Sequence, residues 1–187
     1  MEDDIKQACK VMHQGGVILY PTDTVWGIGC DATNFQAVER VFQIKHRNDN
    51  KAMLVLVDNP VKAERYVQQI PSLAWDLMEL SVKPLTIIFP QACNLAPNLL
   101  GTDGSIGIRI TKERFSQKLC ERFRKPIVST SANVSGQPTP LTYAQISQEI
   151  KQAVDYIVRF RQDEINKAVP SSIIRMETTG VVQIIRE

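Results

Sequence analysis

Apolar residues recur along the chain with two periods, one typical of amphipathic helices and one typical of strands. Near the start, Ile5, Ala8, Cys9 and Met12 lie at helical spacing, and the Gly15-Gly16 pair predicts the end of that helix. Similar patterns predict four more helical segments: 34–45, 60–80, a segment with Phe115, Leu119 and Phe123 spaced by four, and one opened by the capping-box pair Thr142 and Gln145.

Short apolar runs bounded by turn residues lie between these helices and predict strands. The runs are VILY, MLVLV, LTIIF, SIGIRI, PIV, DYIVRF, PSSIIRM and VVQIIRE. Strands that alternate with helices indicate an α/β fold, and the final two runs, joined by ETTG, predict a closing hairpin. The expected sheet is therefore mixed, with parallel and antiparallel pairs.

The composition limits the class of protein. A chain of 187 residues with 43% hydrophobic and 22% charged side chains suits one compact domain over 1–187. No apolar run reaches the about 18 residues that span a membrane, and the opening MEDDIKQ is acidic where a secretory signal would be basic and then apolar. We therefore expect a cytoplasmic protein with no membrane contact.

Several kinds of functional site are not indicated. The four cysteines, Cys9, Cys30, Cys93 and Cys120, form no C-x-x-C pair, so we expect reduced thiols and neither a zinc site nor a disulfide frame. The chain also lacks a G-x-S-x-G nucleophile elbow and a G-x-x-x-x-G-K-[ST] phosphate loop. With a net charge of +2, any cationic site must be local.

Two candidate stretches supply hydroxyls. PTDTVWGIG follows a predicted strand and presents Thr22 and Thr24, and the alternative, an ordinary turn in which Asp23 bonds its own backbone, is the one that spacing alone favours. In KPIVSTSANVSG, a strand that continues through Ser131 would direct Ser129 and Ser131 to one face, with Asn133 at its mouth. The alternative is a Ser/Asn/Gly loop with local side-chain to backbone bonds.

Two further stretches supply cations. IKHRNDNK places Lys45, Arg47 and Lys51 where a helix ends, either as a phosphate clamp or as a solvated basic cap that complements the helix dipole. In SIGIRI, Gly107 and Arg109 share a face, so a ligand could approach the backbone and meet the guanidinium. A solvent-facing arginine on a half-buried strand is the alternative. These residues predict an anion-binding α/β protein without naming a reaction.

The stretches PTDTVWGIG, KHRNDNK, SIGIRI and STSANVSG, followed by PSS and VVQIIRE, resemble the YrdC-like family of threonylcarbamoyl-AMP synthases over nearly the whole chain. The resemblance implies a twisted α/β sheet around a concave, positively charged cavity. It also implies that L-threonine, bicarbonate and ATP give threonylcarbamoyl-AMP and pyrophosphate. A separate transferase would then use the product to form threonylcarbamoyladenosine in tRNA.

Site residues follow from the resemblance position by position. It implies that Lys45 and Arg47 form the K-x-R pair, and that Ser131 and Asn133 form the S-x-N pair at the reacting centre. Positions expected to bind ATP are Lys45, Arg47, Lys51, Ser105, Ser131, Thr139 and Arg186. Positions expected to bind threonine are Thr24, Arg109, Ser129 and Ser171. Mg²⁺ would accompany the triphosphate, with Asp23 and Asp49 as candidate ligands and no dedicated carboxylate cage.

The chain departs from the family pattern where proline, tyrosine, histidine, glycine and threonine are common in relatives. It has Asn48, Ala52, Trp26, Leu56, Lys83 and Ser172 at these positions. The departures concern loop geometry and details of threonine recognition. An RNA-binding module without catalysis is the alternative function, since a concave basic surface could hold duplex RNA or tRNA, at least weakly. The low net charge and the absence of interleaved aromatics argue against it.

Overall fold

A computed structural model describes residues 1–47, 53–165 and 170–187. Nine strands occur in these residues: β1 (Ile18–Tyr20), β2 (Gly27–Gly29), β3 (Leu54–Val57), β4 (Leu85–Phe89), β5 (Ile106–Ile110), β6 (Ile127–Ser131), β7 (Tyr156–Ile157), β8 (Ser172–Met176) and β9 (Val182–Arg186). They form one sheet in the order β7-β1-β2-β6-β3-β5-β4-β8-β9. The pairs β1–β7, β3–β5 and β4–β8 are parallel, and the other pairs are antiparallel. The predicted mixed α/β sheet is confirmed.

Six α-helices flank the sheet in the described part of the chain: α1 (Glu2–His13), α2 (Phe35–Ile44), α3 (Pro60–Ala63), α4 (Ser72–Leu80), α5 (Arg114–Phe123) and α6 (Gln148–Ala153). Single 3₁₀ turns occur at Pro97–Leu99 and Tyr143–Gln145. None of the described helices is both long and apolar enough to cross a membrane. The apolar faces of α1, α2 and α5 are buried, as their spacing predicts.

The ends of α1 and α2 follow from their capping residues. Gly15 has a φ of 80°, and the amide of Gly16 donates to Val11 O at 2.9 Å, which is the bond pattern of a Schellman C-cap. At the start of α2, Asn34 Oδ1 accepts from the amide of Ala37 at 3.0 Å. The predicted helix over 34–45 is thus confirmed to within one residue at each end.

Two helix predictions need correction. The segment 60–80 contains two helices, since α3 ends at Ala63 and α4 begins only after Pro71, whose backbone is extended. The pair Thr142 and Gln145 opens a single 3₁₀ turn and no α-helix, because Ile146 is extended and ends the turn. Helix α6 begins only after Ser147, whose Oγ accepts from the amide of Ile150 at 3.3 Å.

The centre of the sheet consists of β2, β6, β3 and β5, and these strands position the candidate site. Their registers place Gly27 beside Ser131, Leu54 beside Ser129, and Leu56 beside Arg109. Apolar side chains of the same strands fill the core, and Ile28, Val55, Leu56, Ile127 and Val128 are fully buried. Polar side chains on rigid central strands are therefore held at fixed mutual positions.

Candidate functional site

A cavity of about 590 Å³ lies against the central strands and the β8–β9 hairpin. Its volume is in the range of small-molecule sites. The cavity brings together eight of the residues expected to bind substrates: Thr24, Arg47, Arg109, Ser129, Ser131, Thr139, Ser171 and Arg186. Three of them are arginines, so the cavity is cationic, as the resemblance implies.

Of the expected residues that the structure describes, three do not line this cavity. Lys45 and Asn133 lie next to it, because the Lys45 Nζ and the Asn133 backbone amide both donate to the carbonyl oxygen of Ser131 in its wall. Ser105 lies apart, where its Oγ donates to Asp103 Oδ1 at 2.6 Å, so the structure gives its expected nucleotide contact no support. Lys51, like Asn48, Asp49 and Ala52, lies outside the described residues.

The K-x-R turn is a Schellman C-cap with a histidine at the left-handed position. His46 has a φ of 48°, its amide donates to Gln43 O at 3.0 Å, and the amide of Arg47 donates to Phe42 O at 3.0 Å. This tight turn buries the side chain of Lys45 and brings that of Arg47 to the cavity. The solvated-cap interpretation therefore fails for Lys45, which is 3% exposed.

Lys45 binds the backbone of the S-x-N segment. Its Nζ donates to Ser131 O at 2.6 Å and to Asn133 O at 2.7 Å. Burial, with a smaller contribution from the charge of Arg47, lowers the pKa of Lys45 to about 8. The ammonium group has three N–H donors, so these two carbonyls leave the third for a ligand.

The S-x-N segment combines site geometry with local bonds. Ser129 and Ser131 share one face of β6 and line the cavity. Asn133 Nδ2 donates to Val134 O at 3.1 Å and to Gln137 O at 2.8 Å, which is the local bonding of the alternative interpretation. However, Asn133 Oδ1 is buried and has no hydrogen-bond partner among the described residues, so the amide retains an unused acceptor.

Thr22 provides side-chain hydrogen bonds within the PTDT turn. Thr22 Oγ1 donates to Val25 O at 2.7 Å and accepts from the amide of Thr24 at 3.0 Å. The two threonine hydroxyls are 3.1 Å apart. This turn holds Thr24 at the cavity, while Asp23 points elsewhere, toward Arg109.

Arg109 is a buried cation, and the prediction of a solvent-facing arginine is wrong, because the residue is 3% exposed. Its Nη2 lies 3.0 Å from Asp23 Oδ1, close enough for an ion pair but without the angle of a hydrogen bond. Burial raises the pKa of Asp23, and the charge of Arg109 opposes this rise. Arg109 Nε is buried and has no hydrogen-bond partner in the described part of the chain.

Gly107 does not leave a gap beside Arg109. A Cβ at this position would lie 3.2 Å from Leu54 Cβ and 3.2 Å from Thr86 Cγ2. The space is therefore filled by the protein's own side chains, and the expectation that a ligand approaches the backbone here is not supported. Gly107 instead allows β5 to pack closely between its neighbours.

The β8–β9 hairpin closes the cavity through Arg186. Its Nε and Nη2 donate to Ser171 O at 3.1 and 2.7 Å. Ser171 is buried, and its Oγ is 3.0 Å from Thr86 Oγ1 on β4. Sequence reasoning missed Thr86, although a polar residue inside the apolar run LTIIF was a signal, and the register places Thr86 directly opposite Arg109.

Among the described residues, no group of three or more His, Cys, Asp or Glu side chains is placed to hold a metal ion. The candidate metal ligand Asp23 is instead paired with Arg109. The other candidate, Asp49, lies outside the described residues.

Comparison with known proteins gives a consistent set of relatives. The Sua5/YciO/YrdC family model, described as telomere recombination, matches residues 10–187. The threonylcarbamoyl-AMP synthase of Pseudoalteromonas translucida is 38% identical over 160 residues, which cover 84% of this chain and 86% of the relative. The enzyme of the same name from Photobacterium profundum is 30% identical over 184 residues, which cover 92% and 98%.

Solved structures agree with the fold. The crystal structure of P. abyssi Sua5 complexed with L-threonine matches with a TM-score of 0.86 at 25% identity. The match covers 94% of this chain and 52% of that protein, so the chain spans about half the length of that relative. E. coli YciO matches with a TM-score of 0.86 at 24% identity, and this match covers 100% of this chain and 90% of that one. At 24% identity, the likeness to YciO shows the fold alone.

Proposed function

Because the chain belongs to the Sua5/YciO/YrdC family, we propose that it is an L-threonylcarbamoyladenylate synthase, a nucleotidyltransferase that condenses L-threonine, bicarbonate and ATP to threonylcarbamoyl-AMP and pyrophosphate. The observation that supports this most directly is Arg109, a buried guanidinium on the cavity wall whose Nε has no partner among the described residues. A buried cationic donor without a partner suits a carboxylate ligand, because a charge-assisted bond would satisfy it.

Threonine binds, in this proposal, at the part of the cavity between β2, β5 and β6. The carboxylate of the amino acid pairs with Arg109. The hydroxyls of Thr24, Ser129 and Ser171 surround the remaining polar atoms, since all three residues line the same cavity. Small hydroxyl side chains provide hydrogen bonds and still leave room for the substrate.

ATP binds next to the K-x-R turn. Arg47 and the third N–H of Lys45 offset the charge of the phosphates, and Arg186 and Thr139 lie along the nucleotide. For Lys51 and Ser105, the proposal that they bind ATP rests on the resemblance alone. We propose that Mg²⁺ enters with the triphosphate as MgATP, which lowers the negative charge that the cavity has to bind.

The chemistry that follows is nucleotidyl transfer. The threonine amine combines with bicarbonate to give a carbamate, with loss of water, and a carbamate oxygen attacks the α-phosphorus of ATP. The bond from that phosphorus to the oxygen bridging the β-phosphate breaks, and pyrophosphate leaves. Such reactions depend mainly on positioning and charge neutralisation. The catalytic residues of the proposal are therefore Lys45, Arg47, Ser131 and Asn133, with Ser131 Oγ and Asn133 Oδ1 near the reacting centre.

The setting of the reaction also comes from the resemblance. We propose that the product passes to a separate tRNA threonylcarbamoyl transferase, in the cytoplasm, and that the chain forms one domain. The comparisons do not favour the alternative of an RNA-binding module without catalysis; any RNA binding would be weak and electrostatic, so it should fall with salt and compete with ATP.

The decisive experiment measures pyrophosphate release from ATP, with threonine and bicarbonate each omitted in turn and the adenylate identified by mass spectrometry. We expect release to require both co-substrates. Equal release without threonine would remove the synthase assignment, because the amino-acid half of the cavity would then have no role.

A further inference from the structure

Asp23 pairs with Arg109 but does not line the cavity that Arg109 lines. Its Oδ1 is 3.0 Å from Arg109 Nη2, and the two side chains are 10% and 4% exposed. The cross-strand neighbours of Arg109 are Leu56 and Thr86, which carry no charge. Within the described residues, Asp23 is the only acid at ion-pair distance from this guanidinium.

Asp23 does not line the cavity that holds the other site residues. It lines a second cavity of about 320 Å³, whose walls include Leu77, Met78 and Leu85. A ligand in the first cavity can therefore contact Arg109, whereas Asp23 is not part of that cavity's wall. The contact through which the Asp23 side chain can influence that ligand is its ion pair with the guanidinium.

The other charges near Asp23 are engaged elsewhere. Arg161 Nη1 donates to Thr22 O at 3.1 Å and lies 3.3 Å from Glu113 Oε1. Glu113 in turn accepts the amides of Phe115 and Ser116 at the start of α5. Because Arg161 and Glu113 pair with each other, Asp23 and Arg109 are left as each other's partners. The negative charge of Asp23 therefore acts on Arg109.

We propose that Asp23 is a positioning residue for recognition of the threonine carboxylate, an inference that rests on the proposed function. It holds the Nη2 end of Arg109 and offsets the cost of burying the guanidinium charge. The buried, unpartnered Nε is thereby kept in place for the substrate carboxylate. Because Asp23 does not line the cavity, it should affect threonine binding through Arg109 and leave ATP binding unchanged.

The first test compares kinetic constants of wild-type protein and Asp23→Asn, which keeps the shape of the side chain and removes its charge. We expect the KM for L-threonine to rise about tenfold, the loss of roughly one well-placed charge-assisted interaction, while the KM for ATP stays within about twofold. In an Arg109→Lys background, the same substitution should change the threonine KM much less, because the fork that Asp23 holds is gone.

Asp155→Asn serves as the control, because Asp155 also pairs with an arginine, Arg40 at 2.7 Å, and lines neither cavity. It should leave both KM values unchanged. An unchanged threonine KM in Asp23→Asn, an equal rise in both constants, or an equal effect in the Arg109→Lys background would overturn the proposal.

A second measurement needs no activity. The Nε–H signal of Arg109, assigned by its disappearance in Arg109→Lys, can be followed by ¹H–¹⁵N NMR on the ligand-free protein. We expect slow exchange with water in the wild type and faster exchange in Asp23→Asn. An unchanged signal would overturn the positioning role whatever the activity. A changed signal in a protein that releases no threonine-dependent pyrophosphate would instead reject the proposed function. It would still show that Asp23 positions Arg109.

Discussion

Lys45 and Ser131 are joined across 86 positions of sequence by a 2.6 Å hydrogen bond from Nζ to the carbonyl oxygen. The connection runs in both directions, because the amide of Ser135 donates to Lys45 O at 2.8 Å. The K-x-R turn and the S-x-N segment are thus one structural unit. A change in the protonation of Lys45 should alter both the stability of this unit and its charge toward a ligand.

Lys45→Met should remove a pH dependence of stability. The pKa of Lys45 is about 8 in the folded protein, below its ordinary value of 10.5, so between these pH values the unfolded chain binds more protons. The contribution of Lys45 to the free energy of unfolding therefore rises with pH across this window, by up to about 3 kcal/mol. Urea denaturation of both proteins from pH 7 to 10 measures it. Parallel curves would show that Lys45 keeps an ordinary pKa.

How far the sequence predicts this site depends on which contacts are local. The strand alternation that directs Ser129 and Ser131 to one face is local, and it holds in the structure. The burial of Lys45 depends on the left-handed backbone of His46. A histidine does not predict a left-handed helix end as a glycine does, and Gly15 marks such an end in α1. The partner of Arg109 also comes from a distant strand end, so no pattern in SIGIRI could reveal Asp23.

The fold, like the site, was predictable where the pattern that determines an element is local. The apolar runs that became β3, β4 and β5, and the four-residue spacing in α5, reflect burial on one side of an element. The start of α4 carried a signal in Pro71, whereas the end of α3 at Ala63 did not. The failed capping box at Thr142 shows that a cap pattern starts a helix only where the following residues remain helical.

Gly107→Ala should destabilise the protein by about 1–3 kcal/mol, because the new methyl group would overpack the contact between β3, β5 and β4. The added Cβ would lie 3.2 Å from Leu54 Cβ and from Thr86 Cγ2. Denaturant unfolding measures the loss. Thr86→Ser removes that Cγ2 and keeps the hydroxyl bonded to Ser171, so Gly107→Ala should cost less in this background. Equal costs in both backgrounds would mean that the strain lies elsewhere.

Arg47→Ala should lower ATP affinity or turnover on the order of 10- to 100-fold, since about 1.5 to 3 kcal/mol of charge-assisted bonding to phosphate is lost. The stability of the ligand-free protein should change little, because two of the interactions of Arg47 oppose each other. Its guanidinium lies 6.0 Å from the ring of Phe42, which is favourable, whereas its charge lowers the pKa of Lys45, which shows repulsion.

Thermal unfolding with and without ATP separates a ligand contact from a structural one, because stabilisation by ATP grows with the ratio of its concentration to its dissociation constant. The shift caused by ATP should therefore shrink in Arg47→Ala. It should remain at the wild-type value in Arg114→Ala, which removes an exposed arginine at the start of α5, away from the cavity. If Arg47→Ala instead melts several degrees lower without ligand while ATP still stabilises it fully, Arg47 holds the turn and does not bind phosphate. ATP would then have to depend on Lys45 and Arg186 for its binding.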